Sequence, residues 1–370
     1  MVLEILFYLS LVAGIVTTIV PVYNFFTAPR IRNIKDQLIH KPFISILIPA
    51  RNEETCIGNC VEDVLDQTYK NYELIILDDE SKDGTAKIIV DKISENRAEG
   101  KIKLISGRPK PDDWVGKNWA CHQLSLEAKG EYFLFIDADV RLRPHVIESC
   151  IHYLYKYKLQ MITCFPTQII KSIGEWLLVP LMNFLLLAFL PLRKVYLSGK
   201  RSFIAANGQF LLITKDVYRK IGGHLRVANK VVEDLEIARQ AKKSGFKLMT
   251  FLGEDSITCR MYDGYKPAFN GFTKNFFPGF NISPAIFTIF LVFVFTAFFL
   301  PFLLVFMNSY FILVVLIILL GRLAISVSSK QNFLINILLH PAQMFLMIAV
   351  GVNSVYRTKT KKLKWKGRSI

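Results

Sequence analysis

The sequence predicts an α/β domain built on a mostly parallel, Rossmann-like sheet, with transmembrane helices on its N-terminal and C-terminal sides. Three observations predict it. Long uncharged apolar runs lie near both ends, short β-branched runs alternate with helical patterns between them, and acidic motifs stand where those β-branched runs stop.

The first apolar run, Ile5 to Ala28, is uncharged and long enough to cross a hydrocarbon layer of roughly 30 Å as a helix. A cleaved signal peptide carries basic residues ahead of a shorter apolar core. This chain instead opens MVLE and turns basic afterwards, at Arg30, Arg32 and Lys35. Residues 1–28 therefore read as an anchor that leaves the following domain cytoplasmic, in a multi-pass protein of the cell (plasma) membrane. Composition agrees: 52% of the 370 residues are hydrophobic, yet 46 Lys+Arg and 30 Asp+Glu remain to solvate a domain. A formal charge of +16 would suit nucleic acid, but the excess sits beside apolar runs, where cations mark cytoplasmic membrane ends; the partner expected is a membrane and not nucleic acid. The six cysteines are scattered, and Cys56 and Cys60 have no second Cys or His pair nearby to complete a zinc site, so reduced structural thiols are expected.

Residues 29–280 form the α/β domain, with strands expected at Phe43 to Ile48, Glu73 to Leu77, Ile102 to Ile105 and Tyr132 to Ile136. An apolar stretch near 176–192, broken by Pro180 and Pro191, reads as a helix lying on the membrane rather than through it. Residues 281–353 hold three apolar segments, roughly 284–307, 309–327 and 333–352. The tail, 354–370, carries Arg357, Lys359, Lys361, Lys362, Lys364, Lys366 and Arg368 and no acid. Such a tail favours the cytoplasm, which demands an even number of crossings after the domain. Because the third segment contains Asn336, His340, Pro341 and Gln343, it is expected to be re-entrant or interfacial.

The chemistry concentrates at strand ends. One strand runs into PARNEE and the next into DDESKDGT, so Arg51, Glu53, Asp78 and Asp79 converge on one crevice beyond the carboxyl ends of a parallel sheet. Asp83-Gly84-Thr85 reads as a turn and cap. Farther on, YFLFI ends in Asp137-Ala138-Asp139. Acids one residue apart on a strand share a face and can meet one hard, oxygen-loving cation. Lys117, after Gly116, is placed to reach a diphosphate as a point charge; Arg260 and Lys274 are candidates to stabilise a departing anion. Glu233-Asp234 opens a helix running to Lys243, where acids also favour the helix N-terminus. Asn207-Gly208-Gln209 either flanks an acceptor mouth or makes the turn before a helix near Thr214. No Ser-His-Asp arrangement or reactive Cys is evident, which fits a displacement with one base and no enzyme nucleophile.

PARNEE, DDESKDGT and DAD in this order resemble the nucleotide-binding half of a family 2 glycosyltransferase of GT-A fold, over the α/β domain. The resemblance implies Pro49, Arg51, Glu53, Asp78 and Asp79 at the nucleoside, Asp137 at the ribose, Asp139 on a divalent metal (Mg²⁺ or Mn²⁺) bridging the diphosphate, and Asp234, beside Glu233, as base. Processive members carry Q-x-x-R-W where this chain has GFTKN, so transfer of a single sugar is expected. W-x-G-K, R-M-Y with G-F-T-K-N, and the tail Leu363-Lys364-Trp365-Lys366-Gly367-Arg368 resemble a membrane branch acting on carotenoid acids and hopanoids. That branch implies UDP-glucose as donor and a lipid-like acceptor, first the carboxylate of the C30 carotenoid acid 4,4′-diaponeurosporenoate, giving a glucosyl ester. A polyprenyl phosphate, glycerolipid or hopanoid acceptor, or a non-catalytic membrane scaffold, are the competing expectations.

Overall fold

In the computed structural model, Glu99, Lys366, Gly367 and Ile370 and the side chains of Lys364, Trp365 and Ser369 lie outside the described residues; the rest of the chain is described. Two members of the tail motif, Lys366 and Gly367, are thus outside it.

The strands are β1 (Ile44–Ala50), β2 (Tyr72–Asp78), β3 (Ile102–Ser106), β4 (Tyr132–Ile136), β5 (Val140–Leu142), β6 (Met161–Phe165), β7 (Thr167–Gln168), β8 (Phe210–Thr214), β9 (Leu248–Leu252) and β10 (Ile257–Cys259). Seven of them form one sheet in the order β3-β2-β1-β4-β8-β6-β9, parallel except for β8, which runs against both β4 and β6. Strands β5, β10 and β7 make a second, small sheet. All four expected strands are present, each extending at most two residues beyond its expected end.

Ile44, Ile46, Leu47 and Ile48 of β1 are all fully buried, because helices cover both faces of a central parallel strand. The alternation divides them between two cores. Ile46 and Ile48 pack toward the helix Ile57–Leu65, while Leu47 joins a core that continues without a break into Phe287, Leu291 and Val314 of the apolar helices. One face of the sheet is therefore continuous with the membrane-type half of the molecule.

Three helices are long and apolar enough to cross a membrane: Val2–Thr27, Pro284–Leu304 and Phe311–Ser328. The packing surface of the first is small and polar. The buried face of the first helix comprises Ser10, Gly14, Thr17, Thr18, Pro21 and Asn24, while Ile5, Leu9, Val12 and Ile19 point outward. Between helices in lipid, close backbone approach and hydrogen bonds replace the hydrophobic effect as the source of adhesion. Accordingly Ser10 donates to the Thr296 carbonyl (3.1 Å) and Thr18 to that of Ile317 (2.8 Å), and a Cβ on Gly321 would sit 2.7 Å from the Thr18 hydroxyl.

The stretch near 176–192 forms two short helices, Ile173–Leu178 and Pro180–Phe189. Asn24 clamps the end of the second: its amide donates to the carbonyls of Leu187 (3.0 Å) and Leu190 (2.8 Å) and accepts from the Leu192 amide (2.8 Å). After Ser328 the chain returns to the α/β domain, where Lys330 pairs with Asp255 (3.2 Å) and Glu254 (3.5 Å). The third C-terminal segment becomes a short helix, Phe333–Leu338, followed by His340–Lys359, which is not among the helices long and apolar enough to span. Phe276, Phe277 and Phe280 of the helix Tyr265–Phe280 pack edge-to-face with Phe287, ring centroids 5.1–5.2 Å apart, fastening the domain to the span Pro284–Leu304.

Candidate active site

A cavity of about 990 Å³ opens beyond the carboxyl ends of β1, β2 and β4, where an open α/β sheet binds its ligands. Asp79, Asp137, Asp139, Glu233 and Asp234 all line it, together with Pro49, Arg51, Glu53, Lys117 and Lys274. The acids that sequence spacing distributes over more than 150 positions thus share one space.

Local sequence explains the floor. Asp83 accepts from the backbone amides of Glu54 (3.2 Å) and Thr85 (3.1 Å), and the Thr85 hydroxyl accepts from the Glu53 amide (2.8 Å). The turn after β2 thereby locks the loop after β1, the structural role its cap-like sequence suggests. Asp78 faces this turn, accepting from the Ser81 amide (3.3 Å), and lies outside the cavity lining, whereas Asp79 is buried within it. Arg51 donates to the Asp79 carbonyl and stands 3.9 Å from its carboxylate.

Lys117 bridges the two acidic motifs. Its ammonium lies 2.7 Å from Asp137 and 3.4 Å from Glu233. Burial alone would lower its pKa, but those two carboxylates outweigh burial and hold it well above the usual lysine value. Asp139 is half-buried, and its Oδ1, itself buried, has no hydrogen-bond partner among the described residues. Burial first, then the charges of Asp137 and Glu53, push its pKa up to about 7. Asp234 accepts from the backbone amides of Gly208 (2.7 Å) and Leu235 (2.7 Å); burial and the neighbouring Glu233 nevertheless raise its pKa to about 7. Lys274 is buried enough to bring its ammonium down to about 8.

Gly208 allows a close approach: a Cβ there would come 3.0 Å from both Glu233 Oε1 and Lys117 Nζ, so a side chain would push the carboxylate and the ammonium aside by a few tenths of an ångström. Asn207 and Gln209 hold the loop. The Asn207 amide donates to Thr163 Oγ1 (2.9 Å), and Gln209 Oε1 accepts from Gln168 (3.2 Å) and Asn207 (3.3 Å).

Arg260, like Asp78, is an expected site residue that the structure keeps out of the cavity lining. It pairs with Glu175 (3.0 Å), at the start of the helix Ile173–Leu178, and with Asp263 (2.7 Å), and is not part of the cavity lining. The reason is a buried carboxylate distant in sequence that claims its guanidinium. Conversely, Arg201 and Arg239 line the cavity without having been singled out, and so do Met182, Leu185, Leu186 and Phe189, which add an apolar lining. A basic residue in a polar loop, as Arg201, or on a polar helix, as Arg239, gives no signal of this, but the apolar stretch 176–192 inside a polar domain does.

Comparison with known proteins agrees with this geometry. The profile of Glycosyl transferase family 2 matches residues 45–222. The 4,4′-diaponeurosporenoate glycosyltransferase of Staphylococcus haemolyticus (strain JCSC1435) is 25% identical over 236 residues, covering 63% of this chain and 60% of that protein; its counterpart in Staphylococcus aureus (strain USA300) is 26% identical over 249 residues, covering 64% and 61%. The chain thus spans about three fifths of the length of these relatives. Among solved structures, the mannosyltransferase PcManGT from Pyrobaculum calidifontis, in complex with GDP-Man and Mn²⁺, superposes with a TM-score of 0.56 over 96% of this chain and 99% of that one, at 14% identity, a likeness of fold. The sheet order, the cavity beyond its strand ends and the structural likeness converge on the GT-A fold, and residues 45–222 match the family 2 glycosyltransferase profile.

Proposed function

We propose that the chain is an inverting glycosyltransferase that moves one sugar from a nucleotide sugar, UDP-glucose, to a lipid-like acceptor at the cytoplasmic face of the cell membrane. The acceptor proposed first is the carboxylate of a C30 carotenoid acid, giving a glucosyl ester as the names of the relatives suggest. One observation carries the reading. A single cavity is lined both by carboxylates and cations and by the apolar side chains of Met182, Leu185, Leu186 and Phe189, whose helix shares a core with the apolar spans.

In this reading Asp79 accepts from the nucleobase and Asp137 from the ribose, while Lys117 and Lys274 face the diphosphate. Asp139, with Asp137, fits a Mg²⁺ or Mn²⁺. It offers a buried oxygen that has no hydrogen-bond partner among the described residues, and a cation held by one or two carboxylates can take its other oxygens from phosphate and water. When bound, such a cation offsets charge growing on the leaving diphosphate. An acceptor oxygen attacks the anomeric carbon from the face opposite the diphosphate, and the bond from that carbon to the phosphate oxygen breaks. Asp234 receives the proton of a hydroxyl acceptor; toward a carboxylate acceptor its protonated form donates a hydrogen bond that orients the nucleophile.

The raised pKa of Asp234 also favours a second reading, a hydroxyl acceptor on a glycerolipid or hopanoid, where a base is needed. Incubating membranes with labelled UDP-glucose and extracting the lipids tests both. Label freed as glucose by mild alkali supports the ester, label retained in an alkali-stable glycosidic bond supports the second reading, and no lipid-linked label rejects transfer of glucose to a lipid-like acceptor.

A further inference from the structure

Part of the basic tail lies against the α/β domain. Lys364 pairs with Ser369 and Trp365 with Arg368 through their backbones, and Arg368 reaches the acids after β2. Arg368 Nη1 donates to Asp79 Oδ2 at 2.7 Å and Nη2 to the Glu80 carboxylate, across 289 positions of sequence. Its side chain is 17% exposed and that of Asp79 4%, whereas Lys361 and Lys362 of the same tail stand in the open. Glu80 reaches the guanidinium from a left-handed backbone conformation (φ 55°), which is strained for a residue with a Cβ.

The consequence for Asp79 is specific. With Oδ2 taken by Arg368, its Oδ1 is buried and has no hydrogen-bond partner among the described residues. Burial raises the pKa of Asp79, and Arg368, followed by Arg51, pulls it back toward the ionised form.

We propose that Arg368 is a positioning residue of the donor site: its fork on Asp79 and Glu80 turns Asp79 Oδ1 toward the ring N–H of the nucleobase, making the C-terminal tail a working part of nucleotide binding. The inference rests on the proposed contact between Asp79 and the base. A bidentate guanidinium suits the task because it fixes a carboxylate in plane as well as neutralising it.

The test uses the full chain in nanodiscs, with UDP binding by calorimetry and steady-state turnover of UDP-glucose. Arg368→Ala is expected to weaken UDP binding and raise the donor KM about tenfold with kcat changed less than about twofold, the size of one charged hydrogen bond. Arg368→Lys is expected to recover part of the affinity, and free guanidinium to recover part of it in Arg368→Ala, neither of which a merely structural loss permits. Glu80→Gln, which leaves the tail intact, is expected to fall between. Unchanged or tighter UDP binding in Arg368→Ala with a normal melting temperature overturns the proposal; tighter binding identifies the tail as a plug. Asp79→Asn separates the two readings. If it spares UDP binding, the base contact itself fails; if it abolishes binding while Arg368→Ala does not, only the role of the tail fails.

Discussion

Two clusters of buried polar groups lie on opposite sides of the helix Pro180–Phe189, and they are built on different rules. At the cavity floor the cations sit beside carboxylates: Lys117 between Asp137 and Glu233, Arg368 on Asp79. In the apolar half Arg322, fully buried on the span Phe311–Ser328, meets amides and a ring. It donates to Asn336 Oδ1 (3.1 Å) and to Gln343 Oε1, and lies 5.4 Å from the centre of the Phe184 ring. Gln343 in turn donates to the Trp176 carbonyl (2.7 Å), and Asn336 to Ser326 (3.0 Å) and Gln331 (2.9 Å). The first cluster holds charges whose partners a nucleotide or cation can replace. The second is a joint that ties four helices together and has no charge to exchange. Burial of polar groups therefore signals a working site only where the partners are ionic and border a cavity.

The sharpest way to break this contrast is Asp139→Ala, expected to lower kcat/KM by about a thousandfold with an unchanged melting temperature, as loss of several kcal/mol of electrostatic stabilisation implies. Chelation of divalent ions is expected to do the same reversibly, with restoration by Mg²⁺ or Mn²⁺; full turnover in Asp139→Ala would remove the metal assignment. In the joint the opposite pattern is expected. Gln343→Leu strips an acceptor from a buried guanidinium and should destabilise the protein by about 2–3 kcal/mol, read as a lower melting temperature in detergent, while turnover per folded molecule stays near normal.

The pH profile sharpens the comparison further because the sign of its slope depends on the acceptor. Asp234, with a pKa of about 7 set by burial, Glu233, Lys117 and the amides of Leu235 and Gly208, must be ionised to take a proton from a hydroxyl. Activity then falls about tenfold per pH unit below 7. With a carboxylate acceptor the protonated form is the useful one, and activity falls above 7 instead. A flat kcat/KM between pH 6 and pH 8 would dismiss both roles. The smallest effect is expected from Gly208→Ala. A methyl group 3.0 Å from Glu233 and Lys117 forces them apart at a cost of about 1 kcal/mol, roughly a fivefold fall in kcat/KM, with little change in melting temperature.

How far the sequence carries differs along the chain for physical reasons. Strands β1 to β4 are legible because each β-branched run stops at a polar motif, and the acids placed by those motifs do meet in one cavity. Strands β6, β8 and β9, with the sequences MITCF, FLLIT and LMTFL, are short apolar runs without alternation, which periodicity cannot distinguish from buried helix. Insertion of β8 antiparallel between β4 and β6 is a long-range choice no local signal encodes. Arg260 reads as a free cation until Glu175, 85 residues away, claims it, and Arg368 reads as one more tail charge until Asp79 does. Charge pairing over such distances belongs to the tertiary fold.

A cavity that is part wet and part greasy has a kinetic consequence. The donor arrives by three-dimensional diffusion and obeys its molar concentration, whereas a lipid-like acceptor arrives sideways and obeys its mole fraction in the leaflet. Diluting the acceptor with inert phospholipid at fixed bulk amount would then slow turnover, and adding water would not.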